Sequence, residues 1–221
     1  MSTATLVVAL AAQPAQSVAH GKQVLEVFAN TTGKDQMPVL LRCAAGSKTA
    51  EVLQTKPPGQ TLIIAGDLLL EESQPLVFVR TLCDAPPDAY VNEITVTGRL
   101  AKEARVAESN KSASRSLAVN RAVKGEEVTD WFNVRGYGYV MDRLVSLPVG
   151  TLAMVAGLLE QRTNRDGKPY AEIKARTIRV YERGRSSKGS SNPAAGTKAV
   201  GYDHEDFVNA ADDMPFDWNA A

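Results

Sequence analysis

The feature that most constrains this chain is an internal repeat. The segment PPGQTLIIAGDLLLEE at Pro57–Glu72 returns as PVGTLAMVAGLLEQR at Pro148–Arg162, and a shift of 91 residues carries Pro57, Gly59, Ala65 and Gly66 onto Pro148, Gly150, Ala156 and Gly157. The flanking pieces recur in the same order. An apolar strand opens each unit (Thr5–Leu10 and Ile94–Leu100) and a second follows (Val24–Phe28 and Ser116–Val119). A third strand, a short helical stretch and the shared Pro–Gly strand come next, and a fifth strand closes each unit (Leu76–Leu82 and Ala171–Val180). A repeat of this period means one small domain made twice, at residues 1–85 and 91–184. From Arg185 the composition turns to Ser, Gly and Ala without apolar periodicity, so 185–221 is expected to be a flexible linker and an acidic tip.

Alternation assigns the strands. In the run from Trp131 to Tyr137, odd positions carry Trp131, Asn133, Arg135 and Tyr137, while even positions carry Phe132, Val134 and Gly136. Neighbouring side chains of a strand point to opposite faces, so one face is apolar and the other aromatic, polar and cationic. Ile94, Val96, Gly98 and Leu100 alternate with Thr95, Thr97 and Arg99 in the same way. Tyr170, Glu172, Lys174 and Arg176 alternate with Ala171, Ile173 and Ala175. Val140, Met141, Leu144 and Leu147 recur at helical spacing, and Pro148 stops the run. Five strands with a helix after the third predict an oligonucleotide/oligosaccharide-binding barrel, the OB-fold. The fold class is therefore mainly all-β: two tandem five-stranded OB barrels, each with a short helix after strand three, and a disordered C-terminal tail.

Charge separates the units. The chain has 25 Lys+Arg and 25 Asp+Glu, yet residues 1–90 carry −2, residues 91–184 carry +5, residues 185–200 carry +3 and residues 201–221 carry −6. Neutrality thus hides a basic domain suited to a polyanion and an acidic tail suited to a basic partner. No apolar run reaches the length of a membrane span. The short apolar stretch near the N-terminus lacks a basic leader and reads as a strand, which suits a cytoplasmic, nucleoid-associated protein. Cys43 and Cys83 fall on expected strands and read as buried small hydrophobes. His20 and His204 lack ligand-spaced neighbours, so neither a metal nor a cofactor is expected.

A single nucleic acid strand needs a cationic track for phosphates and flat rings for bases. The second unit supplies both. Trp131, Tyr137, Tyr139 and Tyr170 lie on the polar face or at its edges, and Arg99, Arg135, Lys174 and Arg176 share that face by parity. Lys102 and Arg105 follow the first strand, and Arg162, Arg165 and Lys168 flank the turn Asn164–Gly167. Arg115 and Arg121 share the parity of Leu117 and Val119 and reach the groove only if the strand ends twist or bulge.

Four stretches resemble the bacterial single-stranded DNA-binding proteins: VNEITVTGRLAKEARV at Val91–Val106, SRSLAVNR at Ser114–Arg121, TDWFNVRGYG at Thr129–Gly138 and GLLEQRTNRDGKPYAEI at Gly157–Ile173. The tip DDMPFDW, Asp212–Trp218, is similar to that family's recruitment tail. The resemblance implies that Trp131 and Tyr137 stack on bases and that Arg99 contacts the strand's backbone. It also implies non-enzymatic binding of single-stranded DNA in replication, repair and recombination, and an assembly of four OB-folds, hence a homodimer of this chain. Asp212, Asp213, Met214, Pro215, Phe216, Asp217 and Trp218 would meet replication and repair proteins. The chain departs from the family at Val123 and Arg162, where many members carry another stacking aromatic. The family's Pro-Phe ending is here followed by Asp217-Trp218-Asn219-Ala220-Ala221.

The first unit departs further. Val39 and Ala45 are read as the counterparts of Trp131 and Tyr137, and its only aromatics are Phe28 and Phe78. That suits assembly or partner contact rather than DNA. Two alternatives stay open. One is an OB-fold assembly module of a primosome or replication-restart complex with weak DNA binding. The other is a nuclease gripping its substrate with OB domains, which the lack of a metal-spaced cluster disfavours.

Overall fold

The computed structural model describes residues 2–182 apart from 35, 72, 124, 165 and 166. The linker and acidic tip expected at 185–221, and Arg165, lie outside the described residues. The first half contains β1 (Ser2–Leu10), β2 (Ala15–Ala19), β3 (Lys22–Thr31), β4 (Pro38–Ala44), α1 (Lys48–Gln54), β5 (Thr61–Glu71) and β6 (Gln74–Asp84). The second half repeats it as β7 (Asn92–Leu100), β8 (Arg105–Val106), β9 (Ser112–Val123), β10 (Glu126–Tyr137), α2 (Gly138–Ser146), β11 (Leu152–Thr163) and β12 (Pro169–Glu182).

Each half closes on itself as an OB barrel. β1 pairs antiparallel with both β5 and β3, and β4 runs parallel to β6. Likewise β7 pairs with both β11 and β9, and β10 runs parallel to β12. The short β2 and β8 are additions to the expected five strands. Each is the first strand's continuation after a bend, paired only with the strand that follows. Positive φ at His20 and Gly21 makes the tight β2–β3 turn. The barrels share one twelve-stranded sheet because Ser2–Leu6 of β1 pairs antiparallel with Asn92–Val96 of β7.

Alternation matches the cores. Leu6, Leu41, Leu62, Ile64 and Leu68 are buried in the first barrel, and Leu100, Leu117, Phe132, Val134, Val155 and Ile173 in the second. Val140, Leu144 and Leu147 of α2 and its exit pack onto the second core. Cys43 is buried, which pushes its thiol up to about 12, whereas Cys83 is exposed on β6.

The repeat extends to details the sequence echo does not contain. Gly66 and Gly157 each face a β-bulge whose extra residue is an arginine, Arg80 or Arg176. A Cβ on either glycine would lie 2.1 Å from a carbonyl oxygen, that of Phe78 or Lys174. At the start of each barrel, the side chain of Ser2 donates to the Leu68 carbonyl and that of Asn92 to the Leu159 carbonyl.

The ladders also correct a register. Arg42 sits opposite Phe78 as Arg135 sits opposite Lys174, and the two bulges place Phe78 and Lys174 in equivalent positions. The counterparts of Trp131 and Tyr137 are therefore Pro38 and Ala44, not Val39 and Ala45. Val39 is buried like Phe132.

Candidate nucleic-acid interface

β9, β10, β12 and β11 lie side by side and present the outer face of the second barrel. Phe132 and Val134 point inward, so Trp131, Asn133, Arg135 and Tyr137 must point out. Trp131 is 54% exposed and stands opposite Ala118 of β9, whose small side chain leaves the indole uncovered. Tyr137 is 41% exposed at the junction with α2, and Tyr139 is 70% exposed on its first turn. Gly136 lets α2 approach this strand: a Cβ there would meet Val140 and Leu144 within 3 Å. Tyr170, at the start of β12, is half-buried.

The cations divide into two sets. Arg135 donates to both oxygens of Glu172, at 2.7 and 3.1 Å. Arg162 pairs with Glu160 at 3.0 Å and with Glu172 at 3.4 Å, and Lys174 pairs with Glu160 at 3.0 Å. Glu172 is buried beneath the two guanidiniums. Its hydrogen bond pushes Arg135 above the ordinary arginine pKa against the opposing effect of burial. Three cations and two carboxylates leave this cluster at +1. Its cations are held flat on the face, a pre-positioned but partly neutralised surface. Nothing in the separate segments marks Glu160 or Glu172 as the residues that bind these cations, because the contacts depend on cross-strand register.

The second set is freer. Lys102, Arg105, Lys168 and Arg176 are exposed and form no ion pair among the described residues. Lys168 lies on the hairpin turn that the Gly167 N–H closes by donating to the Asn164 carbonyl. Arg176 is the bulge residue and is exposed, and alternation breaks at Thr177, which is exposed as well. Arg99 is exposed on β7 and donates to the Gly150 carbonyl at 2.9 Å.

Arg115 and Arg121 do not join the interface. Arg115 is buried and donates to the carbonyls of Lys102, Leu144 and Leu147, tying the C-terminal end of α2 to β9. Burial lowers its pKa from the ordinary value, opposed by the charge of Glu103. Arg121 pairs with buried Asp130 at 2.9 Å. The inward parity with Leu117 and Val119 is the signal, and the strand does not twist it away.

The first barrel's matching face has different chemistry. Phe28 is 53% exposed, Leu40 and Phe78 are half-buried beside it, Arg42 is clamped between Glu26 and Glu71, and the bulge residue Arg80 pairs with Asp67 at 2.7 Å. Among the described residues, no group of three or more His, Cys, Asp or Glu side chains is placed to hold a metal ion, and no helix is long and apolar enough to cross a membrane.

Two closed barrels of this topology make the chain a double OB-fold protein, with its aromatic and cationic face on the second barrel. Residues 91–181, which form the second barrel, match the model of the single-strand binding protein family. Among solved structures, the single-stranded DNA-binding protein of Thermus aquaticus is similar over 87% of this chain and 98% of its own, at 16% identity and a TM-score of 0.60. A deletion mutant of that protein gives 14% identity and 0.59 over 86% and 98%. The small single-stranded DNA-binding protein of Streptomyces coelicolor is 26% identical over 40% of this chain and 91% of its own, with a TM-score of 0.34. None of the curated proteins matches the chain. The Thermus likeness spans both barrels and establishes the tandem fold.

Proposed function

We propose that the second barrel binds single-stranded DNA without sequence preference and without catalysis, serving replication, repair and recombination in the cytoplasm on the nucleoid. The observation that carries this reading is Trp131. It is an exposed ring on the outer face of a barrel that matches the single-strand binding family, and Tyr137, Tyr139 and Tyr170 are further rings on that barrel. Lys102, Arg105, Lys168 and Arg176 are the cations free to meet phosphates, with Arg99 and the Arg135–Arg162–Lys174 cluster beside them. The test is a titration of the full chain with oligo-dT at several salt concentrations. Submicromolar affinity that falls steeply with salt is expected. Micromolar or weaker affinity at moderate salt would favour an assembly module of a primosome type instead. The apolar Phe28–Leu40–Phe78 face of the first barrel supports partner contact for that half. Two barrels per chain would complete a four-barrel assembly as a homodimer.

The tip from Asp212 to Trp218 is assigned to partner recruitment. Phe216 and Trp218 set among carboxylates suit an apolar, basic pocket on a replication or repair protein. Deleting 201–221 removes six negative charges. Strand binding should stay intact or tighten, more so at low salt, because a tethered anion competes with phosphate for the cationic face. A pull-down from lysate should lose its partners. A tenfold loss of oligo-dT affinity with partners retained would place the tail in the DNA site instead.

A further inference from the structure

We infer that the cleft between the barrels holds a nucleotide of the bound strand, with Tyr90 stacking on the base and Lys34 of the first barrel meeting the phosphate. This rests on the single-strand reading above and extends the path beyond the second barrel. An open recess of about 300 Å3 lies there, lined by Thr32, Gly33, Lys34, Tyr90, Leu158 and Glu160 among others. Its position follows from the sheet. Glu160 borders the recess and is the same carboxylate that pairs with Arg162 and Lys174 on the interface. Trp131 on β10 is separated from it only by β12 and β11, roughly 14 Å at ~4.8 Å per strand, which a few nucleotides cover.

The walls are built rather than incidental. The Cδ2–Cε2 edge of Tyr90 packs against Gly33: a Cβ at Gly33 would come within 2.6 Å of the ring, and its φ of +100° favours glycine there. The ring is still 54% exposed. The hydroxyl of Thr32 donates to the Ala89 carbonyl at 2.9 Å and its N–H to the Val7 carbonyl at 3.0 Å. The N–H of Val7 donates to the Val91 carbonyl at 2.7 Å. These bonds hold the loop carrying Lys34 against the segment carrying Tyr90, so little ordering is left for binding. Lys34 is exposed and carries no ion pair among the described residues, unlike the ion-paired cluster beside it. An exposed ring, an apolar side chain in Leu158 and an ammonium with no ion pair among the described residues are the parts a base and its phosphate need.

The experiment uses the full chain and oligo-dT of graded length. Tyr90→Ser and Lys34→Gln should each lower affinity about fivefold or more for long oligomers. Oligomers too short to leave the second barrel's face should bind as before. Tyr90→Phe should retain binding, and Lys34→Gln should reduce the slope of log affinity against log salt by roughly 0.7. Irradiating the complex with iodouracil-substituted oligo-dT should cross-link Tyr90. The proposal is overturned if both variants keep full affinity at every length and Tyr90 does not cross-link, while Trp131→Ala weakens binding. If Trp131→Ala is also without effect, the underlying single-strand reading falls with it.

Discussion

Trp131→Ala should weaken oligo-dT binding by about 1–3 kcal/mol, with the same loss on any base composition. The size follows from the site. Trp131 is exposed with only Ala118 opposite, so its face is open to a base before any rearrangement. The strand's inward residues, Phe132 and Val134, are fully packed and untouched by the change, so β10 should keep its place. An ion pair on this face contributes less: Arg135, Arg162 and Lys174 are already engaged by Glu160 and Glu172, and an exposed phosphate contact is screened by salt. Stacking is not screened in that way. The loss should therefore persist at high salt and leave the slope of log affinity against log salt nearly unchanged. Trp131→Phe should recover part of it. In a Trp218→Phe background, Trp131 emission should also quench on adding oligo-dT. A folded Trp131→Ala chain with wild-type affinity at every salt concentration would refute the stacking assignment.

The outer face was legible where the two sides of a strand meet different surroundings. From Trp131 to Tyr137 the even positions are apolar and the odd ones are not, so the pattern alone assigns both faces. Arg115 was legible for the same reason, since its parity with Leu117 points it inward. The matching strand of the first barrel failed this test. Pro38 and Leu40 are apolar like Val39, Leu41 and Cys43, so Arg42 alone marks the outward parity, and the sequence echo settled one residue out of register. Only the parallel pairing with β6 decides it.

Cross-strand chemistry was not legible at all. Glu172 reaches Arg135 from another strand, Glu160 reaches Lys174 from a third, and both meetings depend on which residue stands opposite which. The bulge at Arg176 is invisible to parity because it is the failure of parity. The recess at Tyr90 forms only because two barrels share a sheet through β1 and β7. The repeat implied two barrels but not how they join.

Gly157→Ala should destabilise the chain at or above the upper end of the ~1–3 kcal/mol typical of overpacking. The added Cβ would stand 2.1 Å from the Lys174 carbonyl oxygen and 2.9 Å from the Ala175 Cα. These are backbone atoms of the neighbouring strand, so no rotamer change relieves the clash. Gly136→Ala is the useful contrast. There the nearest atoms are side-chain carbons of Val140 and Leu144, at 2.8 and 2.9 Å, and the Met141 backbone nitrogen stands at 3.0 Å, well outside the 2.1 Å of the Gly157 clash. Gly136→Ala should cost less, although α2 must shift slightly from β10. Each kcal/mol should lower Tm by roughly 2–4 °C in a chain of this size.

Gly66→Ala repeats the Gly157 clash in the first barrel, 2.1 Å from the Phe78 carbonyl oxygen, and should cost a similar amount. The two then part in function. At Gly157 the strand pushed away is β12, whose Glu172–Lys174 segment pairs with Asn133–Arg135 and anchors the cation cluster. Gly157→Ala should therefore lower oligo-dT affinity even well below its Tm. The strand displaced at Gly66 is β6, which carries Phe78 and Leu76 and none of the second barrel's interface. Gly66→Ala should melt early yet bind oligo-dT as before. Thermal melts and binding isotherms on the two variants test this together. Equal losses of affinity would mean that the first barrel supports the DNA face directly. An unchanged Tm in either variant would mean that the bulge opposite that glycine opens freely.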